Sequence, residues 1–476
     1  MDRRELLRLI LMSSAAATVM PTTAFGNVLK YNPMTKLDFG PDFKWGVATA
    51  SYQIEGAHNL DGKGASIWDT FTHEKGNIKN GHNGDVSCDF YHNYLDDIAI
   101  LKSLNMKVFR FSASWSRVLP NGTGTVNQKG IDFYHKVIDA CLENGIEPWM
   151  TIYHWDLPQS LQDKGGWVNR DVIQWFSEYA ELLTKNFGSK VKNWMVLNEP
   201  MSFTALGYLL GYHAPGKMGF KNFLPAVHHT TYCQAEGARI IRRNVPDAQI
   251  GTTFSCSHVD AWKDEKRDGK AMERWDVLLN RLFIEPALGM GYPEESLPVL
   301  KKMKKYIHEG DMEKLKFDFD FIGVQNYTRE VVKRIGAIPY VKGMEVSPKK
   351  RGAKEITDMN WEVYPEGMYQ IIKQFASYKG VNKIYITENG AAFPDVVANN
   401  QVKDFQRVDY YQRYLEQVLR AKNEGINIAG YFSWTLLDNF EWSEGFKPRF
   451  GLVHVDFETQ KRTIKESGLW FREFLK

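Results

Sequence analysis

Residues 191–200 read VKNWMVLNEP, an apolar run that ends on an amide and a carboxyl side chain followed by a proline. A short run of this composition predicts a strand that is buried on both faces of a sheet. Burying the ionised carboxylate of Glu199 is costly unless that group is paired, hydrogen-bonded or used in chemistry. Pro200 lacks the N–H that a strand ladder needs, so the strand is expected to end there. Asn198 and Glu199 are therefore predicted to lie at the end of a buried strand.

Seven other runs resemble this one, and helical periodicity fills the segments between them. The eight predicted strands are 43–50, 106–115, 146–155, 191–199, 248–257, 319–327, 382–389 and 426–434. Several helical segments close on a glycine, where a left-handed cap is expected. Eight strand–helix units with mostly apolar strands predict one parallel sheet closed into a single (β/α)8 barrel over residues 38–476. A doubly wound open sheet is the alternative, but no glycine-rich phosphate motif follows the first strand.

The composition points to a folded protein that binds a neutral small molecule. The chain has 476 residues, of which 43% are hydrophobic, and 60 basic against 57 acidic side chains give a formal charge of +3. Without a basic block, neither nucleic acid nor an anionic membrane surface is an expected partner. The cysteines are far apart and form no CxxC motif, which argues against a zinc site or a disulfide scaffold and predicts buried thiols at Cys88, Cys141, Cys233 and Cys256.

The first 26 residues have the layout of an export signal. Arg3 and Arg4 precede an apolar, Ala/Ser-rich stretch over 9–20, and small residues follow with no further charge until Lys30. The stretch is too short to span a membrane, and the arginine pair resembles a twin-arginine signal. We expect a bacterial protein exported to the periplasm or the medium and free of the membrane once the signal is removed. An ordinary amphipathic N-terminal helix is the alternative.

Polar side chains lie at or just beyond the ends of the predicted strands. Because the C-terminal ends of barrel strands build the active site, they are expected to converge on one pocket. They are Gln53, Glu55, Arg110, His154, Asn198, Glu199, Gln325, Tyr327, Glu388, Asn389, Trp434, Glu441 and Trp442. Two carboxyl groups facing each other across a pocket are what glycoside hydrolysis needs, and indoles offer flat apolar faces to a sugar ring. The residues themselves leave open whether hydrolysis retains or inverts the anomeric configuration.

Five strings carry a resemblance over residues 38–476. ATASYQIEGA, YHWDLPQSL, VLNEP, YITENG and LLDNFEW occur in that order, each at a predicted strand end. In this set the chain resembles the family 1 glycoside hydrolases, the β-glucosidase family. The resemblance implies that Glu199 is the acid/base and Glu388 the nucleophile of a retaining double displacement, about 5 Å apart.

The resemblance also implies roles for the residues around this pair. Hydroxyls of the nonreducing-end sugar would be bound by Gln53, His154, Asn198, Glu441 and Trp442, with Trp434 beneath the ring, Tyr327 beside the nucleophile and Trp361 on the leaving-group side. Arg110 would keep Glu388 ionised, while Glu199 lacks an obvious cation and should have a raised pKa. Gln325 departs from the family pattern, so its role stays open.

The implied enzyme is most simply a β-glucosidase that removes terminal nonreducing glucosyl residues without a cofactor or metal. Glu441 would repel a phosphate, which favours an unphosphorylated substrate. The alternatives are a β-galactosidase or β-fucosidase of the same family, or a carbohydrate-binding barrel that has lost turnover. A metal-dependent barrel hydrolase would need a cluster of His and Asp ligands that the sequence does not show.

Overall fold

The computed structural model describes residues 34–476, so the predicted export signal lies outside the described residues. Eight parallel strands close into a barrel in the order β1-β8-β7-β6-β5-β4-β3-β2. Strands β1 to β8 are Lys44–Ala48, Val108–Ser112, Glu147–Tyr153, Asn193–Asn198, Gln249–Ser255, Phe321–Gln325, Ile384–Asn389 and Ile428–Trp434. The predicted closed barrel is confirmed, and the open-sheet alternative is wrong.

One long helix follows each strand and covers the outside of the sheet. Helices α1 to α8 are Phe90–Ser103, Gln128–Glu143, Val172–Phe187, Phe220–Asn244, Glu265–Asp276, Pro365–Ala376, Phe405–Asn423 and Glu466–Phe474. Short helical turns sit in the loops at Lys36–Phe39, Ser51–Ile54, Ile67–His73, Lys79–Gly81, Trp115–Val118, Gln159–Gln162, Gly166–Val168, Pro200–Thr204, Ala205–Leu209, Val277–Arg281, Ile284–Ala287, Pro298–Tyr306, Asp311–Lys314 and Trp442–Glu444. Within residues 34–476, no helix combines the length and the apolar character needed to cross a membrane.

Three small sheets decorate the barrel. His258–Ala261 pairs in parallel with Arg329–Arg334, which pairs antiparallel with Gly343–Glu345. This sheet brings Arg329, Glu330 and Glu345 to the cavity described below. The other two are two-stranded, Val397–Ala398 with Gln401–Val402 and Val453–Val455 with Arg462–Ile464.

A layer of large side chains fills the lower part of the barrel. Six strands contribute to this floor layer, which consists of Val108, Trp149, Met195, Phe321, Tyr385 and Phe432. The Trp149 ring meets Tyr385 at 4.9 Å and Phe432 at 5.0 Å between ring centroids, both nearly edge-on. Such edge-to-face contacts are favourable beyond their buried area. The layer packs inside the barrel below the strand ends, where the cavity described below is found.

The helix-closing glycines behave in two different ways. Gly145 after α2 and Gly425 after α7 have φ of 67° and 94°, as the left-handed caps predicted for them require. Gly188 after α3 does not, because its φ is −62° and its conformation is helical. A Cβ there would lie 2.3 Å from a methyl group of Val245, so lack of space, not backbone handedness, explains this glycine. The four cysteines are buried and free, as predicted.

Candidate active site

One cavity of about 800 Å³ opens at the C-terminal ends of the strands. Most of the predicted site residues line it, namely His154, Asn198, Glu199, Tyr327, Trp361, Glu388, Trp434, Glu441 and Trp442. Gln53, Arg110 and Gln325 are fully buried directly behind its wall. His154 and Trp442, which are 288 positions apart in the chain, therefore meet in one pocket, as the barrel prediction requires.

Glu199 is held in the cavity by an unusual backbone conformation. Asn198 is the last residue of β4, and Glu199 has a φ of 47° before Pro200 starts a short helix. The amide N–H of Glu199 still donates to the carbonyl of Thr253 at 3.0 Å, which ties the turn to β5. Left-handed backbone at a non-glycine residue costs about 1–3 kcal/mol and is found at functional sites. Trp155 and Trp442, which also line the cavity, share this feature with φ of 80° and 47°.

Glu388, in β7, is held by hydrogen bonds from Arg110, Tyr327 and Gln325. Arg110 Nη1 donates to its Oε1 at 2.5 Å, and the hydroxyl of Tyr327 donates to its Oε2 at 2.7 Å. Burial raises the pKa of Glu388, and the charge of Arg110 and the Tyr327 hydrogen bond oppose that rise. The predicted contact with Arg110 is confirmed, but the arginine does not outweigh burial, so the net pKa lies above the ordinary value.

The carboxyl group of Glu199 lacks the arginine and tyrosine donors that hold Glu388. Burial and the nearby charge of Glu388 raise its pKa to about 8, against smaller effects of hydrogen bonds from Ser202 and Ser255. Among residues 34–476, no cation forms an ion pair with Glu199. The predicted rise in the pKa of Glu199 is confirmed, and its cause is the desolvation and like charge that a general acid requires.

These pKa directions predict the pH profile. Below about pH 8 Glu199 keeps its proton, so kcat/KM for a glycoside with a poor leaving group should fall as the pH rises through that value. Glu441 must be separated from this effect, because burial and the charges of neighbouring glutamates raise its pKa to about 8 as well. We expect Glu441→Gln to keep the alkaline fall and Glu199→Gln to lose it. An unchanged fall in Glu199→Gln would assign the profile to another group.

The side chain of Asn198, which lines the cavity, hydrogen-bonds to three other side chains. Its Oδ1 accepts from Arg110 Nη2 at 2.5 Å and from Gln325 Nε2 at 2.9 Å. Its Nδ2 lies 2.9 Å from Nε2 of His154, whose pKa is lowered well below the ordinary value by burial and by Arg110. Gln325, whose role the sequence leaves open, thus orients the amide of Asn198 from below.

The opposite wall is built by the segment after β8. Gln53 Nε2 donates to Asn439 Oδ1 at 3.1 Å, to the Phe440 carbonyl at 2.9 Å and to Glu441 Oε2 at 3.4 Å. The ring of Trp442 lies over that of Trp155, 4.6 Å between centroids. Gln53 therefore holds the segment that presents Glu441 and Trp442, rather than lining the cavity itself.

Two further strand-end residues, Glu55 and Asn389, also do not line the cavity. Glu55 accepts from Arg117 Nε at 2.8 Å and from the Tyr134 hydroxyl at 2.6 Å. Strand β1 ends at Ala48 and the chain turns into a short helix, so positions past the strand no longer follow its alternation. Asn389 follows Glu388 in β7 and faces the other side of the sheet, where its Nδ2 donates to the Tyr410 hydroxyl at 2.8 Å.

Several cavity residues, Trp155 and His213 among them, could not be identified from the sequence. Trp155 lines the cavity together with its neighbour His154 because its φ is positive, which breaks the alternation expected of a strand end. His213 lies in the loop after β4, and its ring is 5.6 Å from that of Trp155. No periodicity marks these positions, and only their place after a barrel strand could have suggested them.

Comparison with known proteins decides the family. The sequence pattern of Glycosyl hydrolase family 1 matches residues 35–476. The chain belongs to this family. This family 1 hydrolase is 45% identical over 440 residues to the 1,4-beta-D-glucan glucohydrolase of Thermotoga neapolitana, covering 92% of this chain and 98% of that one. It is 44% identical over 446 residues to Beta-glucosidase A of Acetivibrio thermocellus, covering 93% and 99%.

Solved structures agree. The family 1 β-glucosidase from Thermotoga maritima superposes with a TM-score of 0.87 at 44% identity, covering 92% of this chain and 98% of that chain. The same enzyme in complex with deoxynojirimycin gives a TM-score of 0.88 at 44% identity and the same coverage. The chain is a glycoside hydrolase of a family that retains the anomeric configuration, so the fold and the predicted activity class are confirmed.

Proposed function

We propose that this enzyme is a β-glucosidase that removes β-D-glucosyl residues from nonreducing ends, with Glu388 as nucleophile and Glu199 as acid/base. The observation that carries the proposal is the contrast between the two carboxyl groups in one cavity. Glu388 is held by Arg110 and Tyr327, whereas Glu199 has a pKa of about 8 and forms no ion pair within residues 34–476. The names of the relatives from Thermotoga and Acetivibrio support glucose as the sugar.

In the first step, Glu388 attacks the anomeric carbon while the bond between that carbon and the glycosidic oxygen breaks. Glu199 gives its proton to that oxygen, and the leaving group departs as an alcohol or phenol. The charge on Glu388 disappears into the ester of the glycosyl-enzyme. Because that charge contributes, after burial, to the raised pKa of Glu199, its loss lowers the pKa and lets Glu199 act as a base in the next step.

In the second step, Glu199 takes a proton from water, and the oxygen of that water attacks the anomeric carbon from the face the leaving group occupied. The ester bond to Glu388 breaks, which returns its carboxylate and releases the sugar with its original configuration. Arg110 and Tyr327 then hold that carboxylate again. Arg110 and Tyr327 therefore stabilise the carboxylate of Glu388 both before it attacks the anomeric carbon and after the ester bond breaks.

A panel of aryl β-glycosides tests the choice of sugar. With one leaving group throughout, kcat/KM should be highest for the glucoside among the glucoside, galactoside, fucoside and xyloside. Activity should survive excess chelator, since residues 34–476 contain no group of three His, Cys, Asp or Glu side chains able to hold a metal. A higher kcat/KM for the galactoside or fucoside would favour those alternatives. No turnover of any member would favour a sugar-binding barrel.

We also propose that the protein is exported by its N-terminal twin-arginine segment. Arg3 and Arg4 precede an apolar stretch, and the family match begins only at residue 35. In a bacterial host with a twin-arginine translocase, glucosidase activity should appear in the periplasmic fraction. The double variant Arg3→Lys, Arg4→Lys should leave it in the cytoplasm, with total activity unchanged. Equal distribution of the two proteins would contradict export by this route.

A further inference from the structure

A buried cluster of charges lies behind the loops that follow β7 and β8. Its carboxylates are Asp395, Asp404 and Asp438, and its two innermost cations are Arg407 and Lys465. Each of these side chains is at most 2% exposed. Arg449, which pairs with Asp438 at 3.2 Å, adds a third cation at the edge. Three positive charges therefore balance three negative ones in the protein interior, where each charge must be paired.

Lys465 joins two of these carboxylates. Its Nζ donates to Asp438 Oδ1 at 2.6 Å and also to a carboxylate oxygen of Asp395. Among the ion pairs of residues 34–476, no other cation contacts both aspartates. Lys465 directly precedes α8. Its backbone is fixed independently of its side chain, because its N–H donates to the Leu452 carbonyl at 2.9 Å. Its ammonium group is thus an anchored link between two separate loops.

One of the two loops directly follows strand β7, which carries Glu388, and the other carries Glu441. Asp395 lies seven residues after Glu388, and Arg407 Nε donates to the carbonyl of Ala391 between them at 3.0 Å. Asp438 lies three residues before Glu441, and its Oδ1 also accepts from the Gly451 amide at 2.9 Å. The segment between Asp438 and Glu441 is the one that Gln53 grips. Neither aspartate lines the cavity.

We propose that Lys465 is a positioning residue for catalysis, which fixes the loop that follows the nucleophile strand β7 relative to the loop that carries the sugar-binding Glu441. This rests on the roles proposed above for these two glutamates. A double displacement requires the sugar and the nucleophile to be aligned within a fraction of an ångström. A single buried ammonium that bonds both loops supplies a fixed separation that apolar packing of the same volume would not.

The test replaces Lys465 by Met, which keeps the length of the side chain and removes its charge. We expect kcat/KM for an aryl β-glucoside to fall by about 100-fold, as misplacement by about 1 Å can cause. Lys465→Arg, which restores a cation whose several N–H donors can reach both aspartates, should recover most of this loss. The matched control is Lys63→Met, because Lys63 is also a buried lysine, pairs with Asp69 at 2.9 Å and does not line the cavity.

Both methionine variants should melt at a lower temperature than the wild type, but only Lys465→Met should lose activity when assayed well below its melting temperature.

If Lys465→Met does not fold, variants of the two aspartates test the proposal instead. Asp395→Asn should act mainly on kcat through the nucleophile, and Asp438→Asn mainly on KM through the sugar. Activity within threefold of wild type in Lys465→Met, or equal effects of the two asparagine variants on kcat and KM, would overturn the proposal. An inactive wild type would instead contradict the proposed function.

Discussion

Replacing Glu388 by Gly is expected to lower kcat for an aryl β-glucoside by about 10⁶-fold, the order of loss seen when a covalent nucleophile is removed. Without the carboxylate no glycosyl-enzyme can form, and Arg110 and Tyr327 lose the group they hold. The space left beside the anomeric carbon is open to a small anion, so azide should restore part of the rate. Because azide enters from the nucleophile side, the product should be the α-glucosyl azide.

A matched control separates this effect from damage to the barrel. Glu147→Gly makes the same exchange at the opposite end of the barrel, at the start of β3, where Glu147 pairs with Lys44 at 2.6 Å. This variant should keep kcat within threefold of wild type at a temperature where both are folded. Near-normal turnover in Glu388→Gly, or a β-configured azide product from it, would contradict the assignment of the nucleophile.

Replacing Glu199 by Ala should produce a loss that depends on the leaving group. Hydrolysis of a β-linked glucose disaccharide needs a proton on the departing oxygen and should slow by about 10³- to 10⁴-fold, the upper range for a general acid. A dinitrophenyl glucoside departs without help, so its glycosyl-enzyme should still form and then accumulate, since no base activates water. A rapid burst of dinitrophenol followed by slow turnover is the expected trace.

The product of azide rescue distinguishes this variant from the nucleophile variant. In Glu199→Ala, azide attacks the glycosyl-enzyme on Glu388 from the face of the departed leaving group and should give the β-glucosyl azide. The two variants together thus assign the two carboxyl groups by opposite anomers. A loss of equal size for the disaccharide and the dinitrophenyl glucoside would show that Glu199 is not the acid.

The sequence predicts the barrel well because strand identity depends on local composition. Each of the eight apolar runs contains one barrel strand, since a β-branched or aromatic run of that length has little alternative once both its faces are buried. Predicting the ends of these strands is harder. Glu55 was expected in the pocket and lies outside it, because the short helix at Ser51–Ile54 changes the direction in which successive side chains point.

The catalytic pair could be found from motifs, but its electrostatics could not. The pKa of Glu441 rises to about 8 because of burial and the charges of Glu388, Glu444 and Glu199, and barrel closure is what brings Glu199 and Glu388 near it. The positive φ that places Trp155 beside His154 likewise depends on tertiary contacts, since its indole donates to the Asn198 carbonyl at 2.9 Å. Such features need the assembled fold, and no window of sequence contains them.

The floor layer blocks passage from the active site through the lower end of the barrel. With Trp149, Tyr385 and Phe432 closing the lower side, the substrate, the leaving group, the incoming water and the released sugar all share one mouth. Water can reach the glycosyl-enzyme only after the leaving group has moved out. A hydroxyl group of a second sugar at that mouth competes with water for the anomeric carbon. At high sugar concentration the enzyme should therefore build new glycosides at the expense of hydrolysis.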